Sequence, residues 1–369
     1  MTKLSTRQAG LLMFVAIISL KFITYPSLYA KYAGVDGYLA LTLNLGLDLI
    51  CICVILWVSK KNPNKTFDEI VTRFFGIYTT KVLNFILFIF FLAKSIFLIK
   101  EAHKYILDEL YNYFSWELFI IPLLLVLAFI MSRSLRSLGR SIEIFFIFIL
   151  IGILLTVFIP AQYIDIFYIL PIMDSGLDSI FKASFYCSFS IGDYLVLLML
   201  LGNFQLQKNS HKIIFSYSVF ACLVVISFYI IFYSVFGVFA TNQVIAIGDL
   251  PLFASFSSSV GRLDWITINL WIIALVFQMG VLLSFSLKAF NKCFSLETKT
   301  FGIIFILSIV LFAMYYLYLN LSQAIALVTT PQFNTVNIIV QFIYPLSILI
   351  STIFERRKNV KFNKKIFSK

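Results

Sequence analysis

The chain has 369 residues, of which 61% are hydrophobic, 18% aromatic and only 12% charged, against roughly 45–50% apolar and about 25% charged in an average soluble domain. That excludes a soluble globular protein, and because apolar runs of about 20 residues recur about ten times, too little chain remains for a separate soluble catalytic domain. The formal charge of +12 would suggest a nucleic-acid partner in a soluble chain; read by loop position it belongs to membrane topology, and no nucleic acid is expected.

In chain order, Met1–Gln8 is a short polar lead into an apolar run of full spanning length with no small-residue cleavage site behind it. The first span, about 9–31, is therefore expected in the mature protein. Further spans are predicted at about 38–59, 82–105, 118–132, 142–160, 177–202, 213–239, 264–287, 302–320 and 334–354. Ten spans put both termini on one side. With that side cytoplasmic, about 22 of the 29 Lys and Arg fall in inside segments, leaving Lys31, Lys100, Lys104, Lys182 and Arg262 outside, the asymmetry that the positive-inside rule demands. Asp108, Asp174 and Asp249 are then expected to face out.

Between the second and third spans, Thr66–Gly76 places Phe67, Ile70, Val71, Phe74 and Phe75 at helical spacing among Asp68, Glu69 and Arg73. It reads either as a short helix lying on the inner membrane face or as an amphipathic connector packed under the bundle. The basic tail from Glu355 to Lys369 is expected on anionic headgroups. Five scattered cysteines, mostly within apolar runs, predict neither a disulfide framework nor a metal site. With no Gly-rich phosphate loop and no nucleophile, base and acid set, neither enzyme activity nor a cofactor is expected.

A charged side chain in mid-bilayer costs at least about 2.5–3.5 kcal/mol on insertion scales, so the informative residues are Lys21, Asp48, Lys94 and Asp193. Lys21 is about ten residues from either end of its span, roughly 15 Å, beyond the reach of snorkelling. Two bases and two acids form a neutral set that can face inward. They read either as ion pairs holding helices in register or as a binding site, and Lys21 is expected near Asp193 or, next, Asp48. Two of them fall where a helix looks interrupted. In Ser188-Phe189-Ser190-Ile191-Gly192-Asp193, Ser190 is a candidate helix N-cap with an acid three residues on, and Gly192 is a weak helix former. Pro26 frees the carbonyl of Phe22, beside Lys21. Breaks in the first and sixth spans, one in each five-helix half, are what an inverted repeat with a midplane site predicts.

Several segments are familiar in their order: Leu4-Ser5-Thr6-Arg7-Gln8, the run Tyr25-Pro26 to Ala33-Gly34 followed by Asp36-Gly37, Arg140-Ser141-Ile142-Glu143, and Gly261-Arg262-Leu263-Asp264 leading to Trp271. Over essentially the whole chain the sequence resembles the B subunits of bacterial spore germinant receptors, the spore germination permeases, a branch of the amino acid/polyamine/organocation transporter superfamily. The resemblance implies an all-α integral membrane fold of about ten helices in a five-plus-five, LeuT-like inverted repeat with helices 1 and 6 broken. It implies a single domain over 1–369, with a first repeat at about 9–160, a second at about 177–354 and a cytoplasmic tail at 355–369. The implied role is sensing a small germinant such as an amino acid in the spore inner membrane, together with a membrane A subunit and a lipoprotein C subunit. The family's pocket lies between helices 1, 3, 6 and 8, which corresponds here to Ser19, Leu20 and Lys21, Phe90 and Lys94, Ser190 and Asp193, and Gln278 with Leu282. This chain departs from the family in having Ser19-Leu20-Lys21 where relatives have glycine, and in the charge at Lys94. Two lysines in one pocket suggest an acidic ligand group or an internal substitute for a coupling cation. A proton-coupled amino acid or polyamine carrier shares the same fold and pocket. His103 is expected at interfacial water, and Arg262 with Asp264 forms a helix-start salt bridge or a gate.

Overall fold

Helix α1 (Thr6–Ile18) is apolar on every side and buried along nearly its whole length, as a helix at the centre of a bundle must be. The structure is a computed structural model describing residues 3–109, 116–207, 209–256, 264–296, 298–316 and 321–366. After α1 come α2 (Tyr25–Ala33), α3 (Gly37–Lys61), α4 (Phe67–Glu109), α5 (Trp116–Ser132), α6 (Leu135–Phe158), α7 (Gly176–Tyr186) and α8 (Tyr194–Leu200). The chain continues through α9 (Ser210–Phe236), α10 (Ala246–Phe256), α11 (Asp264–Phe294), α12 (Lys299–Tyr316), α13 (Leu321–Val328) and α14 (Pro331–Ile366). Among the described residues there is no strand, only an isolated parallel bridge between Leu4 and Phe204 that pins the N-terminal segment beside the end of α8.

Among the described residues six helices are long and apolar enough to cross a membrane: Tyr25–Lys61, Phe67–Ile106, Leu135–Tyr163, Ser210–Asn242, Trp265–Phe294 and Pro331–Phe354. The pair Gly176–Tyr186 and Ser188–Leu200, bent by 52°, makes a seventh when taken as one broken span, and Glu117–Ser132 and Lys299–Tyr315 are shorter apolar helices. The chain is a multi-pass membrane protein. Its outer surface agrees: Ile144, Phe148, Leu154, Leu125, Phe129, Ile304 and Phe312 are all exposed, an arrangement favourable against lipid and costly against water.

The Thr66–Gly76 connector begins with a reciprocal cap, Thr66 N donating to Glu69 Oε2 at 3.2 Å and Glu69 N to Thr66 Oγ1 at 3.4 Å. It then runs as the first turns of α4 to a kink at Gly76, whose φ is +82°. Phe67, Ile70 and Val71 are buried under the bundle, with Phe67 against Tyr344, while Phe74 stays exposed. The third span therefore starts about fifteen residues earlier than hydropathy suggests, because the kink lets an amphipathic and an apolar segment share one helix. A second difference is α10, in a stretch read as loop. Its start is held by Asp249, whose Oδ2 accepts from Ile245 N at 2.8 Å.

Candidate functional site

The first span is interrupted where the sequence places Lys21. Ile18 ends α1, Ser19–Phe22 forms a tight 3-10 turn, and α2 restarts at Tyr25 with Pro26 in its first turn, where the missing N–H costs nothing. The break leaves carbonyls that no intrahelical amide reaches, and side chains supply the donors. Tyr229 Oη donates to Lys21 O at 2.9 Å, Tyr233 Oη to Pro26 O at 2.7 Å and Gln278 Nε2 to Ala16 O at 2.9 Å. Ala246 N, leading α10, donates to Ile23 O at 2.9 Å. The externally bonded carbonyls thus flank Phe22, because Pro26 initiates a helix here and does not interrupt one.

The bent pair α7 and α8 breaks opposite. Beyond α7, Ser188–Ser190 makes a 3-10 turn, Ile191 is extended, and Gly192 has φ +93°, a left-handed backbone that favours glycine. A Cβ at 192 would stand 2.9 Å from Phe90 Cζ and 3.1 Å from Gln341 Nε2. The expected N-cap at Ser190 is displaced: Gly192 delays the restart, so Asp193 flanks α8 and its side chain makes no cap. Ser190 Oγ instead meets Tyr29 Oη at 3.0 Å, which also accepts from Asn44 Nδ2 at 2.6 Å. The unwound backbone is bonded from other helices. Ile191 O accepts from Lys94 Nζ at 2.8 Å and from Gln341 Nε2 at 3.2 Å, and Gly192 N donates to Asp48 Oδ1 at 2.9 Å.

Between the two breaks, Lys21 donates to Asp193 Oδ2 and Lys94 donates to Asp193 Oδ1 at 2.9 Å. Lys21, Asp48, Lys94 and Asp193 are each at most 2% exposed. One carboxylate thus bonds two ammonium groups, and Asp48, held on the amide of Gly192, supplies the second negative charge that brings the four to neutrality. In a medium where an unpaired charge is prohibitive, such a cluster persists only when every ion is compensated. Phe90 lies 5.4 Å from Lys94 Nζ, a cation–π contact. Gln278 reaches the α1 side of the break, and Leu282 is buried one turn further along α11; the side chain of Ser19 is outside the described residues. Asp48 Oδ2, Gln278 Oε1 and Gln341 Oε1 are buried without a hydrogen-bond partner.

Sequence reasoning missed the α14 face. Asn334, Asn337 and Gln341 recur at spacings of three and four and bond the break between α7 and α8 through Ser188 and Ile191; three amides on one face of an apolar helix was the available signal. It also did not single out Glu101, near the end of the third predicted span. Glu101 is fully buried, its Oε1 accepting from Thr24 Oγ1 and, at 3.3 Å, from Thr24 N, with Oε2 unpartnered.

Beyond Thr24, towards the Lys31 end of α2, lies a cavity of about 900 Å³ whose wall includes Thr24, Ser27, Lys31, Lys100, His103 and Lys104. None of the residues expected to bind ligand lines it. His103 is half-buried in this wall. Gly261 and Arg262, the side chains of Asp108 and Asp264, and those of the basic tail are outside the described residues.

A family model described as a spore germination protein matches residues 3–324. No curated protein matches the chain. Among solved structures it is similar to two variants of a manganese transporter from Eremococcus coleocola, one with a histidine replaced by alanine and one with a glutamate replaced by glutamine. Each aligns at 10% identity over 94% of this chain and 86% of the transporter, with a TM-score of 0.50, a likeness of fold.

Proposed function

The chain belongs to the family of spore germination proteins, and on that footing we propose that it is the germinant-sensing membrane subunit of a receptor in the spore inner membrane. Its architecture is permease-like. With α1/α2 as the first crossing, α3 to α6 as the second to fifth, α7/α8 as the sixth, and α9, α11, α12 and α14 as the rest, the chain crosses ten times with both termini cytoplasmic. The packing supports a five-plus-five inverted repeat, because contacts recur when each crossing is exchanged for the one five places along. The third packs on the eighth and the second on the seventh; α6 on α11 has its counterpart in α14 on α4, and α5 on α11 in α12 on α4.

The observation that carries the sensing role is the sharing of Asp193 by Lys21 and Lys94 beside an Asp48 oxygen that has no hydrogen-bond partner. A small zwitterion fits that arrangement. Its carboxylate takes Lys94 from Asp193, which keeps Lys21, and its ammonium reaches Asp48 Oδ2. Ser190, Gln278, Phe90, Leu282 and the Ser19 turn border the site. Exchanging one internal ion pair for a ligand pair gives the two breaks two arrangements of similar cost, which a membrane A subunit and a lipoprotein C subunit read out.

The test is the germination response to amino acids in spores carrying Lys94→Leu or Ser190→Leu. Each should raise the germinant concentration required while leaving assembly with the A and C subunits intact. Normal assembly with an unchanged response would place sensing elsewhere. Net amino acid flux through vesicles containing this chain alone would make it a carrier.

A further inference from the structure

Glu101 is fully buried in α4, inside the apolar stretch Phe67–Ile106, and among the described residues no ion pair reaches it. Oε1 accepts from the hydroxyl and the amide of Thr24, while Oε2 has no hydrogen-bond partner. Tyr25, beside Thr24 on α2, packs on Phe97, one turn before Glu101, and its buried Oη is also without a partner. On α4 itself, Lys94 lies about two turns away and is bonded to Asp193, while Lys100, His103 and Lys104 border the outer cavity, as does Tyr315 of α12. Ser286 of α11 bonds Phe88 O and Tyr344 of α14 bonds Leu83 O, which leaves Tyr344, Lys288 and Lys292 at a level more than about three turns from Glu101. Helix α13 carries no titratable residue. Thr24 lines the outer cavity, so the residue that holds Glu101 on one side borders open space on the other.

We propose that Glu101 is a proton-binding site, which holds a proton on Oε2 in this arrangement of the helices and exchanges it with water in the outer cavity when Thr24 moves aside. Ionised, the carboxylate would keep one oxygen charged, dehydrated and unbonded with no cation beside it, the situation that a low-dielectric interior penalises most. Protonation removes that charge and leaves Oε1 to accept both bonds from Thr24, at the smaller cost of one uncommitted O–H. A metal ion is a poorer occupant, because it needs several converging oxygens and no second carboxylate bonds at Thr24. On exchange the O–H bond at Oε2 breaks, the proton passes to water and the electron pair stays on the carboxylate, so nothing is oxidised or reduced. This site does not depend on the sensing role proposed for the midplane cluster.

The test uses the full chain in nanodiscs and reads the infrared carbonyl stretch of protonated carboxyl groups. At neutral pH such a band should be present, should shift in D2O, and should be lost in Glu101→Gln but kept in Glu117→Gln, which alters an exposed side chain. Labelling the glutamate carboxyls of the unsubstituted chain with carbon-13 should move the same band. That labelling serves if Glu101→Gln does not accumulate, since Glu101 is the one buried glutamate among the described residues. Stability against pH is the second readout. The folded chain keeps a proton that the unfolded chain gives up above about pH 4.3, so stability falls as pH rises until the buried acid ionises. Over that range the unfolding constant should rise by up to about tenfold more per pH unit than in Glu101→Gln. The proposal is overturned if no glutamate band appears at neutral pH, if the band ignores D2O, or if the unsubstituted chain and Glu101→Gln share one pH dependence. A Glu101-dependent rise in thermal midpoint with sodium or potassium chloride, in place of the band, would also overturn it and give the site to a metal cation.

Discussion

Lys94 and Lys104 lie on the same helix, ten residues or about 15 Å apart, yet they sit in opposite chemical situations. Lys94 is sealed from solvent, with its ammonium on Asp193, on the carbonyl of Ile191 and near the ring of Phe90. Lys104 is half-buried in the wall of a large cavity. In the midplane cluster every charge is balanced inside the protein, and a ligand has to compete for it. Around the cavity the charged side chains among the described lining residues are all basic, and the space they border is open. The two lysines thus differ first in depth, one sealed in the bundle and one bordering open space.

Removing the shared acid should produce the largest effect. Asp193→Asn leaves Lys21 and Lys94 without their carboxylate and should cost about 3–5 kcal/mol, the range for breaking a buried ion pair, read as lost membrane yield and a lowered thermal midpoint. Adding Lys21→Met should recover part of that loss, the remainder reflecting Lys94. Fully additive losses would show that Lys21 and Asp193 do not act together, and the contrast between sealed and open lysines would fail.

The break between α7 and α8 offers a smaller, steric test. Gly192→Ala forces a Cβ into a left-handed backbone and against Phe90, and should cost at least about 2 kcal/mol. Gly34→Ala, also at positive φ but with nothing within 4 Å of the added atom, should cost only about 1–2 kcal/mol. Equal losses would mean that the close packing of Phe90 on the break is not what fixes it.

Between the two regions, Thr24→Val removes the hydroxyl that Glu101 accepts and should cost about 1–3 kcal/mol by stranding a buried acceptor. Glu101→Gln retains an oxygen for Thr24 and should cost less. At the cavity, Lys104→Gln should change stability by no more than about 0.5 kcal/mol, the usual range for a residue outside a sealed network. A loss comparable with that of Asp193→Asn would erase the difference between the regions.

Much of this was readable along the chain. Hydropathy and charge content identify a membrane protein, because dehydrating twenty consecutive residues is a local property of sequence. The same reasoning singles out Lys21, Asp48, Lys94 and Asp193, since a mid-span charge must turn inward wherever its partner lies. Gly192 and Pro26 likewise mark the breaks through their own backbone chemistry.

The pairings were decided only in three dimensions. Lys21 and Asp193 are 172 residues apart and Lys94 and Asp193 are 99 apart, and no periodicity says which helices cross at which height. The crossings give one carboxylate to both lysines and send Asp48 to the amide of Gly192. They also bury Glu101, which hydropathy places near an interface, under Thr24, and they gather Lys31, Lys100 and Lys104 around one cavity. Local sequence fixes what each side chain cannot tolerate, whereas the packing of distant helices chooses the partner that relieves it.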